Sequence, residues 1–384
     1  MKVLVRAALL AAASVVMTAP AAALTYASSV VASGLNNPRG VTFGPDGSLY
    51  IAEGGVPTAG GPSTIVRGNV AALSQTGSIT RVAGGVQQRI VSGLPSLGIL
   101  ATGETAGPSD IVFGADGTGY LAIGLGADPA LRTTALAAGG GRLGKVVTFT
   151  GGIADFADVA AYEGAHDPVG GLIESNPFHM VQGPNGLLVT DAGSNTLLNV
   201  APDGSVSLVA AFPGRPIGPP VPMSDAVPTG LAIGPDGNIY VAELTGFPFT
   251  QGAARIYRVT PGGAVDVAYD GFTTISDLAF GSDGSLYVLE VDSNGLATPG
   301  GTGALIRIAP GGARSTLFSQ GLITPTGLAI GSDSAFYVSN FSAVSGRGEV
   351  LRIAAVPEPA QWAMMILGFA AAGCLARRRR VAIA

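Results

Sequence analysis

Thiol, imidazole and indole chemistry are nearly absent from this 384-residue chain, which has one cysteine, two histidines and one tryptophan. The cysteine, Cys374, falls in the C-terminal tail, so the body has no disulfide and no thiol nucleophile. His166 and His179 form no His-x-His or Cys/His pattern, which argues against zinc. Ser109, Ser194 and Ser276 offer hydroxyls, but no Gly-x-Ser-x-Gly turn presents one, and a Ser-His-Asp triad has little support. Charge is sparse too, at 12% of residues, and much of the basic share sits at the ends as Lys2, Arg6 and Arg377 to Arg380. Setting those and Glu358 aside leaves 14 basic and 24 acidic residues, a net charge near −10. Nucleic acid and anionic membrane need a basic surface, so neither is expected as a partner. A helical body is not expected either, because 59 glycines and 26 prolines punctuate the chain.

What is there in abundance is a repeated turn. Gly44-Pro45-Asp46-Gly47 returns as Gly114-Ala115-Asp116-Gly117, Gly183-Pro184-Asn185-Gly186, Gly234-Pro235-Asp236-Gly237, Gly281-Ser282-Asp283-Gly284 and Gly331-Ser332-Asp333-Ser334. Proline presets φ and glycine admits positive φ, so each copy reads as a tight turn between two strands. In the fourth copy an apolar strand runs to Ile233, and a second strand spans Asn238 to Ala242. A third follows at Arg255 to Val259, and Pro261-Gly262-Gly263 leads to a fourth, Ala264 to Tyr269. Four antiparallel strands make one propeller blade, so the fold class is all-β, a six-bladed β-propeller of four-stranded antiparallel blades. The marker glycines are spaced by 70, 69, 51, 47 and 50 residues, which places insertions in the first two blades. The sixth copy stops after three strands at Ile353. Residues Tyr26 to Leu35 look like the outer strand of the fifth blade, so an N-terminal strand is expected to complete the last blade and remove its open edge.

The ends read as targeting segments. Residues 1–23 have Lys2 and Arg6, an apolar run from Ala7 to Met17, and Ala21-Ala22-Ala23, the pattern of a secretory signal peptide cut after Ala23. The run is too short to span ~30 Å of hydrocarbon. The Sec translocon and signal peptidase are the implied partners. Residues 24–355 are then the propeller. In 356–384, Pro357-Glu358-Pro359 leads through Trp362 and an apolar run, Ala360 to Ala376, to four arginines that would hold a transmembrane helix end at the cytoplasmic face. This order resembles the PEP-CTERM sorting signal. The resemblance implies transient anchoring in the inner membrane, processing by an exosortase and release to the cell surface or outside. A permanent single-span anchor is the alternative.

In each hairpin the start of strand one and the end of strand two share a channel mouth. Glu53, Asp191, Glu243, Glu290 and Asn340 stand at the strand-two ends, with Gly124 in the second copy. Arg39, Asp110, His179 and Asp277 stand at the strand-one starts, against Gly230 and Gly327. A ring of carboxylates can bind Ca²⁺, which makes Glu53, Asp191, Glu243 and Glu290 candidate metal ligands. Residues repeated in every blade are also what architecture requires, since such a carboxylate can accept backbone N–H groups from a neighbouring blade. Asp110, His179, Asp277 and Arg39 break the repeat and are the candidates for ligand binding. His166 lies in the long insertion 126–175, in a polar stretch expected to be a loop.

Three stretches go further than generic propeller sequence: Glu243-Leu244-Thr245-Gly246-Phe247-Pro248-Phe249 with its hairpin, Glu174-Ser175-Asn176-Pro177-Phe178 with Asp155-Phe156 and Tyr162-Glu163, and Thr190-Asp191-Ala192-Gly193-Ser194-Asn195. Together they resemble the ScyD/ScyE family over about residues 32–353, and the hairpins alone match the wider NHL-repeat class. That resemblance implies the propeller fold and no agreed reaction. Where family members often have Asn-Pro-Tyr-Gly, this chain has Asn176-Pro177-Phe178-His179. Three readings follow, and no catalytic constellation favours an enzyme. One is a binding or scaffold protein of the extracellular matrix, taking a polysaccharide, a small molecule or a protein. Another is a cation-dependent hydrolase or lactonase resembling the gluconolactonase propellers. The third is a passive structural protein of a biofilm.

Overall fold

The computed structural model describes residues 25–219, 221–298 and 300–356. The signal-cleavage position Ala23, the sorting residues Pro357, Glu358 and Pro359 and the expected tail helix lie outside the described residues. Among those described, no helix is long and apolar enough to cross a membrane.

The described chain is a six-bladed β-propeller. The inner strands are Pro38–Phe43, Pro108–Phe113, Pro177–Gly183, Pro228–Ile233, Ile275–Phe280 and Leu328–Ile330. Each pairs antiparallel with the next strand in sequence, and the chain moves outward strand by strand. In blade four the order is Pro228–Ile233, Ile239–Glu243, Ala254–Val259 and Val265–Phe272. Blade six is completed by Thr25–Leu35, which pairs with Gly348–Val356. The expected closure is therefore present, and the edge that Gly348–Val356 would expose is covered.

The strands form because alternate residues pack between blades. In blade one Leu49 and Ile51 are buried while Tyr50 is half-buried. Val41, Leu49 and Ile51 pack with Ala32, Leu35 and Val350 of blade six. Burying a side chain such as Ile51 stabilises by roughly 1.5–3 kcal/mol, and each interface between blades contains several. The turns recur as read. Asp46, Asp236 and Asp283 each accept the N–H two residues on, at 3.0, 3.1 and 3.0 Å.

The two insertions differ. In blade one, strands Asn69–Ala83 and Val86–Ile99 extend far beyond the blade, and Ser63–Val66 and Thr105–Ala106 join them, giving a six-stranded sheet. Blade two adds a 3₁₀ turn, Pro129–Thr133, and a helix, Val159–His166. The stretch around His166, expected as a loop, is thus helical. Asp158 caps it by accepting the Ala161 N–H at 2.9 Å, and Val159 and Ala160 are buried. His166 is exposed at the last turn, stacked on Tyr162 at 4.2 Å.

Candidate functional site

The strand-two ends act on the chain arriving from the preceding blade. Glu53 accepts the Asn36 N–H at 2.7 Å, Asp191 the Asn176 N–H at 2.6 Å, and Glu290 the Thr273 N–H at 2.7 Å. Asn340 does the same for the Ile323 N–H at 2.7 Å. Glu53 also accepts Thr80 Oγ1 at 2.6 Å and both Nε and Nη2 of Arg89 at 2.9 and 2.7 Å. Burial works against its charge, yet Arg89, Thr80 and Asn36 together hold its carboxyl below the ordinary range. Asp191 additionally accepts Ser175 Oγ at 2.6 Å and the Gly193 and Ser194 N–H groups, each at 3.0 Å. Glu243 differs. It accepts Arg215 Nη2 through Oε1, its Oε2 has no hydrogen-bond partner among the described residues, and burial pushes its carboxyl up. Each carboxylate thus serves its own linker. Among the described residues these carboxylates do not gather into a group that could hold a metal ion.

Strand pairing corrects two assignments of register. Pro38 pairs with Glu53, Pro177 with Asp191 and Pro228 with Glu243, and Pro108 pairs with Ile123. Blade two therefore has the apolar Ile123 in the carboxylate position, and Gly124 lies one residue beyond. At the strand-one starts, Asp110, His179, Gly230, Asp277 and Gly327 share a slot with Gly40 rather than Arg39. Arg39 belongs one step nearer the mouth, with Ser109, Phe178, Thr229, Ser276 and Thr326.

That outer step explains the hydroxyls. Ser109 Oγ donates to the Pro177 carbonyl at 2.9 Å, Thr229 Oγ1 to Ile275 at 2.7 Å, Ser276 Oγ to Pro325 at 3.2 Å and Thr326 Oγ1 to Pro38 at 3.1 Å. Each ties its inner strand to the next blade. Arg39 and Phe178 are the exceptions, and both line a cavity of about 870 Å³ at this mouth. Arg39 Nη2 donates to the Thr105 carbonyl at 2.8 Å.

The inner step forms a cluster on the axis. His179 Nδ1 lies 3.4 Å from Asp110 Oδ2 and 3.5 Å from Asp277 Oδ1, joining blades two, three and five. Asp110 Oδ2 accepts the Met180 N–H at 2.8 Å, and Asp277 Oδ2 the Leu328 N–H at 2.7 Å. Two glycines make room. A Cβ on Gly40 would lie 2.1 Å from Asp110 Oδ1, and one on Gly230 would lie 2.4 Å from the Asp277 Cα. Burial pushes Asp277 up to about 6, with His179 opposing and Asp110 adding to the shift. Burial also raises Asp110, against the pull of His179. For His179 burial disfavours the imidazolium, but the two carboxylates outweigh it and hold the pKa above the ordinary value. So the structure brings together three of the four residues that break the repeat, and it places Arg39 apart from them in the cavity wall.

The cavity itself was not legible residue by residue. Its walls combine the blade-one insertion, the linkers and the loop 244–249. Phe247, Leu172 and Leu296 leave apolar surface open beside it, 59%, 74% and 42% exposed. Arg67 is paired with Glu174 at 2.6 Å across its wall.

Residues 355–380 match the PEP-CTERM protein-sorting motif. That motif directs export to the cell surface or beyond, with exosortase as the processing partner. The protein is an exported β-propeller. No curated protein matches the chain. In structure it is similar to a Thermus thermophilus protein assigned as an oxidoreductase (glucose dehydrogenase), with a TM-score of 0.50 and 18% identity over 86% of this chain and 100% of that one. It is similar to regucalcin, a calcium-binding protein of Agrobacterium tumefaciens, with a TM-score of 0.50 and 14% identity over 86% and 95% of the two chains. The PQQ-bound aldose sugar dehydrogenase of Streptomyces coelicolor gives 0.49 and 16% over 86% and 99%. At such identities the likeness shows the fold alone.

Proposed function

We propose that this protein is a ligand-binding propeller of the extracellular matrix, of the ScyD/ScyE type, and that its ligand enters the mouth lined by Arg39 and Phe178. The signal peptide 1–23 is removed after Ala23, the tail 356–384 holds the chain briefly at the inner membrane until exosortase acts, and the body 24–355 functions outside. The cavity of about 870 Å³ carries this reading. It falls within the size range of small-molecule sites and joins apolar surface to a few polar groups, as such sites do. The recurrent hydroxyls bridge blades and the recurrent carboxylates hold their linkers, while Asp110, His179 and Asp277 engage one another, which leaves Arg39 and Phe178 in the cavity wall as the exceptions open to a ligand.

Titration calorimetry of the purified protein against monosaccharides and small metabolites tests the reading, with Phe247→Ala as the control. Phe247 is 59% exposed, so the variant folds, and a cavity ligand binds it more weakly. Ligands whose affinity is indifferent to Phe247→Ala would place binding elsewhere. The cation-dependent lactonase alternative has its own mark. Ca²⁺ would raise the melting temperature by mass action and a chelator would reverse it.

A further inference from the structure

Arg39 occupies a slot that in four of the other five blades holds a hydroxyl tying neighbouring blades together. Ser109, Thr229, Ser276 and Thr326 occupy its slot and donate to the neighbouring blade. Arg39 instead makes a single side-chain hydrogen bond, to the Thr105 carbonyl, and no carboxylate lies within ion-pair distance of it among the described residues. The other arginine in the wall, Arg67, is neutralised by Glu174. A guanidinium has five donors in a planar fork, so most of those on Arg39 have no partner among the described residues. Burial pulls its pKa below the usual arginine range, and Glu104 offsets that only in part. A half-buried cation of this kind in a body of net charge near −10 is a specific feature rather than part of a basic surface.

We infer that the cavity takes a small organic monoacid, with its carboxylate on Arg39 and its ring-sized body against Phe178 and Phe247. The inference rests on the reading of the cavity as a ligand site. A fork-shaped guanidinium matches a carboxylate in two parallel bonds. The exposed acids Glu104 and Asp225 at the cavity edge set negative charge beside this one cation, so every further negative charge on a ligand meets repulsion without a partner and a polyanion does not fit. The apolar surface of Phe247, Leu172 and Leu296 suits a ring face, whether that of a sugar or an aromatic.

Two matched pairs of probes test this by calorimetry on the purified protein, glucuronate against glucose and benzoate against benzamide. In at least one pair the acid binds about 10- to 100-fold tighter than its neutral partner, the worth of a charge-assisted hydrogen bond or two. The pair that shows it separates a sugar acid from an aromatic acid. Arg39→Gln abolishes the preference and Arg39→Lys retains part of it, while the melting curves of both stay close to wild type because only one side-chain hydrogen bond is at stake. Equal binding of acid and neutral probe, or a preference that survives Arg39→Gln, overturns the inference and leaves the cavity a ligand site. Binding of none of the four overturns both.

Discussion

His179 and Asp277 meet across the propeller axis, 3.5 Å apart, from blades three and five. Asp110 completes the group at 3.4 Å from the same imidazole nitrogen. Two buried carboxylates facing one imidazole cannot all ionise at no cost, and all three groups hold protons more tightly folded than unfolded. The native state therefore binds more protons. Its stability from this cluster is fully present below the ordinary carboxylate range and declines as pH rises through about 6, the value for Asp277, and on through the raised His179. Asp277→Asn is neutral at every pH and keeps an oxygen for the Leu328 N–H, while the Leu278 N–H loses its acceptor, the other carboxylate oxygen at 2.7 Å, at every pH alike. It should be more stable than wild type at pH 8 by on the order of 1–3 kcal/mol and show no such gain at pH 4. Thermal unfolding at the two pH values decides it, and a gain independent of pH would contradict the charged cluster.

The axis also has a steric consequence. A methyl group on Gly230 would sit 2.4 Å from the Cα of Asp277, a backbone atom that cannot swing aside. Gly230→Ala should cost about 1–3 kcal/mol, the usual range for overpacking. Denaturant unfolding would show a lower midpoint with an unchanged slope. A neutral result would mean that blades four and five separate easily.

Glu53 obeys the opposite sign from the axial cluster. Its folded pKa is lowered by Arg89, Thr80 and Asn36 against the effect of burial, so its contribution is present above the ordinary glutamate range and fades as pH falls. Glu53→Ala leaves the Asn36 N–H and the Arg89 fork without their acceptor. A loss of about 2–4 kcal/mol at pH 7, shrinking toward pH 3, is expected. Equal losses at both pH values would show that the carboxylate acts through packing alone.

Much of this architecture could be read from residues. The turns, the six blades and the N-terminal strand that closes the last one follow from Pro-Asp-Gly geometry and from a sixth copy lacking its outer strand. The register of the inner strands was harder. Arg39 stands five residues before its marker glycine, Gly44, and Asp110 four before Gly114, and the pairing of Pro38 with Glu53 and of Pro108 with Ile123 shows that this single-residue offset puts them on different steps. The bulge after the strand-one proline recurs, between Pro38 and Val41 and between Pro108 and Asp110, so it shifts both strands alike. His179 and Asp277 are 98 positions apart in the chain, and nothing local announces that they meet on the axis. The cavity was out of reach because insertions and linkers build it, and their paths are set by packing rather than by repeat. A usable clue existed in the slot after the strand-one proline: where hydroxyls recur, Arg39 and Phe178 are the two that cannot bridge blades.

The sixth turn departs from the others in a way that can be repaired. Gly47, Gly117, Gly237 and Gly284 hold φ of 73°, 83°, 78° and 75°, and Ser334 occupies the same place at 60°. A side chain in this left-handed region costs roughly 1–2 kcal/mol through the approach of Cβ to the carbonyl oxygen. Glycine removes that strain but adds about 0.5–1 kcal/mol of unfolded-chain entropy. Ser334 is exposed, and among the described residues its hydroxyl makes no hydrogen bond that could be lost. Ser334→Gly should therefore stabilise by a net of roughly 0.5 kcal/mol, and Ser334→Val, whose branched Cβ tolerates positive φ poorly, should destabilise. Melting temperatures in the order glycine, serine, valine would check both terms at once. Equal values for all three would mean that the turn relaxes to another conformation when its residue changes.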